Sequence, residues 1–145
     1  MTDYHFQGII VDVKADNSHA SARVVDTLSN NDLTGGKTVI SAGAVVISNG
    51  IKIDVGAGND TNVVGIATQT RPVGDSRPLT YTRKGMVHAV SDGSAILAGS
   101  RLKNGAQGTV ALAAANGSEA NLEIGKSYEA NGGAIGTVIL VELTL

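Results

Sequence analysis

The chain has no cysteine and no tryptophan, and Phe6 is its single phenylalanine. Without cysteine, disulfides and thiolate metal sites are excluded. Tyr4, Tyr81 and Tyr128 are the only other aromatics. They are too few for the stacking platforms of an RNA binder or a carbohydrate site. Charge is also sparse: 17% of residues are charged, against about 25% in an average domain. The formal net charge is −2, and no window concentrates Lys and Arg, so the basic stripe of a nucleic-acid binder is missing. There is no run of about 20 apolar residues, hence no helical membrane span. The first residues lack the basic start and apolar segment of a secretory signal, so the protein is expected to be made in a cytoplasm and to stay soluble.

Glycine is abundant, with nineteen residues. The core must therefore be built from Val, Ile, Leu and Ala between glycine-rich turns. A chain of 145 residues is expected to form one domain, able to bury roughly 70% of its unfolded surface. The low charge is consistent with a surface partly covered by other chains.

The most informative stretch is the last, Leu122 to Leu145. Asn131-Gly132-Gly133 is strong turn chemistry. After the turn, Ile135, Thr137, Ile139, Val141, Leu143 and Leu145 alternate onto one face, with Val138 and Leu140 on the other. A strand apolar on both faces is central in a sheet, inside a barrel, or covered by a partner subunit. Val138 and Leu140 are accordingly the candidate oligomer-interface residues.

Upstream, Tyr4 to Lys14 reads as a strand, and Ala22 to Leu28 as a short one, with a helical turn over Asp26 to Leu33 as its alternative. Further strands are expected at Thr38–Ile40, Ala44–Ile47, Ile51–Val55, Asn62–Thr68, Leu79–Arg83, Gly85–Val90 and Gly108–Leu112. Asn49-Gly50 and Asn104-Gly105 are hairpin signals between apolar runs. Ser94 to Lys103 reads better as a turn than a helix, because Gly99 would cost about 1 kcal/mol mid-helix. Residues 1–36 are expected to be an N-terminal arm or hairpin, and 37–145 a β-barrel-like domain.

An internal repeat organises the second part. The segment from Ile40 through Gly43 aligns with that from Ile96 through Gly99, and both run towards Asn-Gly. Val63–Ala67 aligns with Glu123–Ser127, and Leu79–Arg83 with Val138–Leu143. The copies are about 56 to 60 residues apart. The expected fold is mainly β: a small β-barrel or sandwich with an internal pseudo-repeat and at most one short helix.

The order and spacing of Val64–Ala67, Gly85–Val90 with Gly93, Ala98-Gly99, Asn104-Gly105, Ile124-Gly125, Gly132-Gly133 and Gly136–Leu143 resemble the small head-decoration (cement or auxiliary) proteins of tailed phages. The resemblance covers roughly Thr38 to Leu143, and no single motif in it is specific. It implies a mainly β fold, frequent assembly as trimers, binding to the major capsid protein on the outside of an assembled shell, and no catalysis. The N-terminal segment here is longer than in the shortest members.

Reactive constellations are absent as patterns. The run from Gly35 through Thr38 ends like a phosphate-binding loop, but Asn31 stands where its first glycine belongs and a β-branched run replaces the helix. His5, His19 and His88 have no metal-ligand spacing. Asp54, Asp60, Asp75 and Asp92 all sit near Gly, Asn or Ser, which Asx turns explain better than calcium ligation. Glu119, Glu123 and Glu129 have no spacing that makes them a pair. No metal, cofactor or enzymatic activity is expected. The leading expectation is a structural virion protein on the capsid surface, probed through Tyr4, Phe6, Ile9 and Val11. That N-terminal strand either adds to a sheet edge of the shell or completes the protein's own barrel. The alternative is a β-rich attachment module of a phage tail or cell surface.

Overall fold

Alternating apolar residues between glycine turns give a fold made of strands. The structure, a computed structural model, describes residues 5–12, 21–29, 39–49, 52–72, 78–132 and 134–145, with backbone only for 5–12, 21–29, 78 and 132. Among them are β1 (His5–Asp12), β2 (Ser21–Ser29), β3 (Val45–Ser48), β4 (Ile53–Val55), β5 (Val63–Ala67) and β6 (Pro78–Val90). Then come β7 (Ala95–Ile96), β8 (Arg101–Asn104), β9 (Val110–Leu112), β10 (Glu123–Ser127), β11 (Asn131–Gly132) and β12 (Val138–Thr144). Two 3-10 turns, at Ala106–Gly108 and Ala120–Leu122, are the only helical pieces among the described residues.

The main sheet runs β4-β3-β5-β6-β12-β10-β8-β9, with β2 on β6 and β1 on β2. It is antiparallel, open and curled into a half-barrel. The order is a palindrome, because the two copies of the repeat meet at β6 and β12. Their backbone bonds match position for position. The Gly43 amide donates to the Ala67 carbonyl at 2.8 Å, and the Gly99 amide to that of Ser127 at 2.7 Å. Thr68 N–H donates to the Thr80 carbonyl, and Tyr128 N–H to that of Leu140. Ile40 bridges Arg71 as Ile96 pairs Asn131. Gly43 and Gly99 both adopt positive φ, +88° and +85°, a conformation that glycine takes without the Cβ penalty.

Each copy also receives a fifth strand. β2 lies along the first half of β6 with Asp26 across from Tyr81, and the second half of β6 lies along β12 with Val87 across from Val141. The long strand β6 therefore closes the first unit and opens the second. A bulge makes this possible. The register with β2 steps from Val24–Lys84 to Val25–Thr82, leaving Arg83 extra, and Gly85 takes φ +98°. A bulged residue reverses the side-chain alternation and bends the strand, which is how strands pass between packed sheets. Leu79 and Tyr81 thus join one core while Val87 and Ala89, at the same spacing parity, join the other.

The two cores are built from equivalent positions. Ile40, Val46, Ile53, Val64, Leu79 and Tyr81 belong to the first. Ile96, Leu102, Val110, Ile124, Ile139 and Val141 belong to the second. Full burial of each large aliphatic contributes about 1.5–3 kcal/mol. Val45, Ile66 and Val63, on the back of the first unit, complete the second core. Gly65 and Gly125 occupy matching sites after a register shift in β5 and β10. A Cβ at Gly65 would run into the Thr82 carbonyl oxygen, and one at Gly125 into that of Glu142.

Several expectations change. Leu79–Arg83 and Gly85–Val90 are one strand, joined through the bulge. Asn104 is the last residue of β8, paired with Val110, not a turn residue. The turn itself spans Gly105 to Thr109, with Gln107 at φ 55° and Gly108 at φ +73°. Ile135 precedes β12, because Gly136 turns the chain at φ +80°. Positions 26–29 are strand, whereas 30–33 lie outside the described residues.

Candidate interaction surfaces

Among the described residues β1 pairs only with β2, through eight consecutive register partners from His5–Leu28 to Asp12–Ser21. Its other edge carries no partner strand there. An edge strand presents a row of backbone donors and acceptors that another chain can use. Phe6, Ile9 and Val11 lie on this strand. Tyr4 lies outside the described residues.

Val138 and Leu140 both sit on the face of β12 opposite the core residues Ile139, Val141 and Leu143, yet their fates differ. Val138 is 55% exposed, whereas Leu140 is 4% exposed and already covered within the chain. Tyr128, bonded through its amide to the Leu140 carbonyl at 2.8 Å, is half exposed at 50%. The turn from Leu97 to Ser100 is held against Ser127, and Leu97 is 71% exposed on it. Sequence reading missed Leu97, although the repeat alignment held the signal: it sets Leu97 against Ser41, a polar residue.

A cleft of about 540 Å³ opens between the two units, lined by Val39, Ser41, Ala44, Val55, Val90, Gln107 and Ile135 among others. Ile135 is 80% exposed at its rim. Nearby, the loop after β4 ties the first unit to the β8–β9 turn. Gly108 N–H donates to the Gly56 carbonyl at 2.7 Å, and Asn59 N–H to that of Asn104 at 3.0 Å. The fully buried Asn104 also donates its side-chain amide to Asp60 Oδ2. The same carboxylate oxygen accepts the Ala57 and Gly58 amides at 2.8 and 3.0 Å.

The acidic residues serve the local backbone. Asp92 Oδ1 accepts from the Ser94 amide two residues on, as in an Asx turn, whereas Asp54 Oδ1 accepts from the amide of the next residue, Val55. Glu129 Oε2 accepts the Leu140 amide at 3.0 Å, and Glu123 faces Arg101 at 3.8 Å. Glu119 accepts Lys103 Nζ at 2.6 Å and the Ala114 amide at 2.8 Å. The Lys103 hydrogen bond, helped by that amide, holds its carboxyl below the usual glutamate range. Among the described residues no three His, Asp or Glu side chains gather as metal ligands. His88 is exposed on β6 across from Leu140. His19, Asp75 and residues 35–37 lie outside the described residues.

The fold is therefore a tandem antiparallel β module whose two units share one long strand. The same fold occurs in the N base of head fiber gp8.5 of bacteriophage phi29, which superposes with a TM-score of 0.59 at 18% sequence identity, over 74% of this chain and 87% of that one. No protein-family model and no curated protein sequence matches the chain.

Proposed function

We propose that this protein is a structural component of a tailed-phage virion that binds the outer surface of the assembled capsid and stabilises it. The observation that carries this reading is the shared fold with a phage head fiber base over most of both chains. The partner is the major capsid protein, and neither cofactor, nucleic acid, membrane nor catalysis enters. Holding a lattice together calls for shape, backbone edges and apolar contacts. The edge of β1 that has no partner strand among the described residues supplies eight residues of strand for addition to a sheet edge of the shell, where backbone hydrogen bonds give affinity and alternate side chains give selectivity.

Co-sedimentation with capsids of the cognate virus tests the reading. The protein should pellet with mature, expanded shells and poorly with unexpanded ones. Failure with both would favour the second reading, an attachment module of a fibre or tail. That reading draws on the neighbour's being a fiber base. Removing residues 1–14 should leave a folded β-protein that no longer pellets with capsids. Undiminished pelleting would take β1 out of the contact.

A further inference from the structure

The two units also repeat a groove, and only one of the two grooves is filled. The Gly56 amide donates to the Val45 carbonyl as the Ala113 amide donates to that of Arg101. Val55 pairs Val46 in β4 as Leu112 pairs Leu102 in β9. Ala44, Val45, Val55, Gly56 and Gly58 of the first unit therefore match Ser100, Arg101, Leu112, Ala113 and Ala115 of the second. On the first unit these residues carry the turn from Gly105 to Thr109. Gly108 donates its amide to the Gly56 carbonyl at 2.7 Å, and Gly58 lies against Gly105 and Ala106. The five matching residues of the second unit line an open groove of about 430 Å³. Leu112 is 42% exposed in it, and the Ala113 carbonyl accepts no amide among the described residues.

We propose that this second groove is a further contact with the capsid, and that its occupant is a glycine-bearing turn of the major capsid protein. The inference rests on the capsid-binding reading above. The filled groove specifies the chemistry of the occupant. Gly108 has φ +73°, and a Cβ there would stand 2.7 Å from Val55 Cγ1 and 3.1 Å from Ala44 Cβ, so that place admits glycine alone. Leu112 and Ser100, both larger side chains, make the matching wall no wider. A glycine seated against them brings its amide to the Ala113 carbonyl. Two differences between the grooves narrow the description. A Cβ at Gly56 would overlap the Asn104 side-chain amide, and Ala113 carries such a Cβ, so the residue entering the occupant's turn is small. Asp60 accepts the Asn104 amide, whereas its counterpart Glu119 is met by Lys103 Nζ, so the occupant supplies no side-chain amide there. This chain's own turns do not meet the description. The turn from Gly105 to Thr109 is already seated. The β3–β4 turn is one residue shorter, because Ser48 pairs Ile53 where Asn104 pairs Val110.

Purified mature capsids of the cognate virus are the probe. Wild type should pellet with them. Leu112→Glu and Ala115→Trp, both at exposed positions, should each weaken pelleting about tenfold with unchanged circular dichroism and melting temperature. Variants that pellet like wild type would overturn this inference alone, whereas a wild-type chain that never pellets would overturn the capsid reading with it. Should either variant fold poorly, cross-linking gives an independent test. The chain has no cysteine, so Ala115→Cys places a benzophenone maleimide at the groove and nowhere else. Irradiation on capsids should join it to the major capsid protein within a glycine-bearing turn, read by mass spectrometry of the linked peptide. A link to a second copy of this chain, to an extended strand, or to nothing would overturn the proposal.

Discussion

In the first unit β3 and β5 bury apolar residues on both faces, whereas the matching strands of the second, β8 and β10, do so only towards the core. Val45 and Ile66 on the back of the first unit are fully buried, because they pack into the second unit's core. The equivalent places on the second unit hold Arg101 and Lys126, both exposed. One backbone plan, used twice, has thus been given two surfaces: one buried by its sister, the other turned outward. The difference teaches that the units are not independent. The back of the first unit's strands is buried by the second unit, and the matching positions of the second are exposed.

Substitutions at matched positions break or sharpen this contrast. The largest effect is expected from Tyr81→Ala, which empties a fully buried aromatic site and should cost about 4 kcal/mol in urea unfolding. Its counterpart Val141→Ala removes two methyl groups and should cost about 2 kcal/mol. Equal losses would mean that the cores do not share the same plan. Gly65→Ala and Gly125→Ala should each cost about 3 kcal/mol, and by similar amounts, because both would drive a methyl into a neighbouring strand's carbonyl. Tolerance at one site alone would show that the close strand approach is not repeated there.

The tie between units comes next. Asp60→Ala strands the buried Asn104 amide and frees two loop amides, for a loss of about 1–3 kcal/mol. Ser48→Ala, at the position equivalent to Asn104, removes a hydroxyl bond to the Lys52 carbonyl and should cost about 1 kcal/mol.

The smallest effect is the pH dependence of Glu119. Its folded-state value lies below the ordinary 4.5. The stabilisation is therefore present above that pH and lost as pH falls through the lowered value. Lys103→Met should flatten this acid limb in melting curves taken from neutral to acid pH. A limb of unchanged steepness would dissociate Glu119 from Lys103.

Much of this architecture was legible beforehand. Gly43 and Gly99, Gly65 and Gly125, and the strands they flank aligned as a repeat in sequence, and their backbone bonds coincide. Short-range chemistry explains that success, since a positive φ or a close strand approach selects glycine wherever it occurs. Asn104-Gly105 misled for a related reason. The dipeptide is a strong hairpin signal, but here the turn was made by Gln107 and Gly108, and Asn104 was buried against the first unit. Exposure on the second face of β12 was half legible. Val138 stood out as apolar on a strand's second face, while Leu140 looked identical and is covered. Leu97 was overlooked because a single leucine in a turn carries no periodicity.

The sequence by itself determined that the chain is made of strands, where most of them turn, and that one unit is written twice, because alternation and glycine conformation are local properties. Only the tertiary structure decided that β6 belongs to both units, that its bulge exchanges the faces, and which apolar residues are left outside. Those outcomes depend on strand register, where an offset of a single residue carries every following side chain to the opposite face.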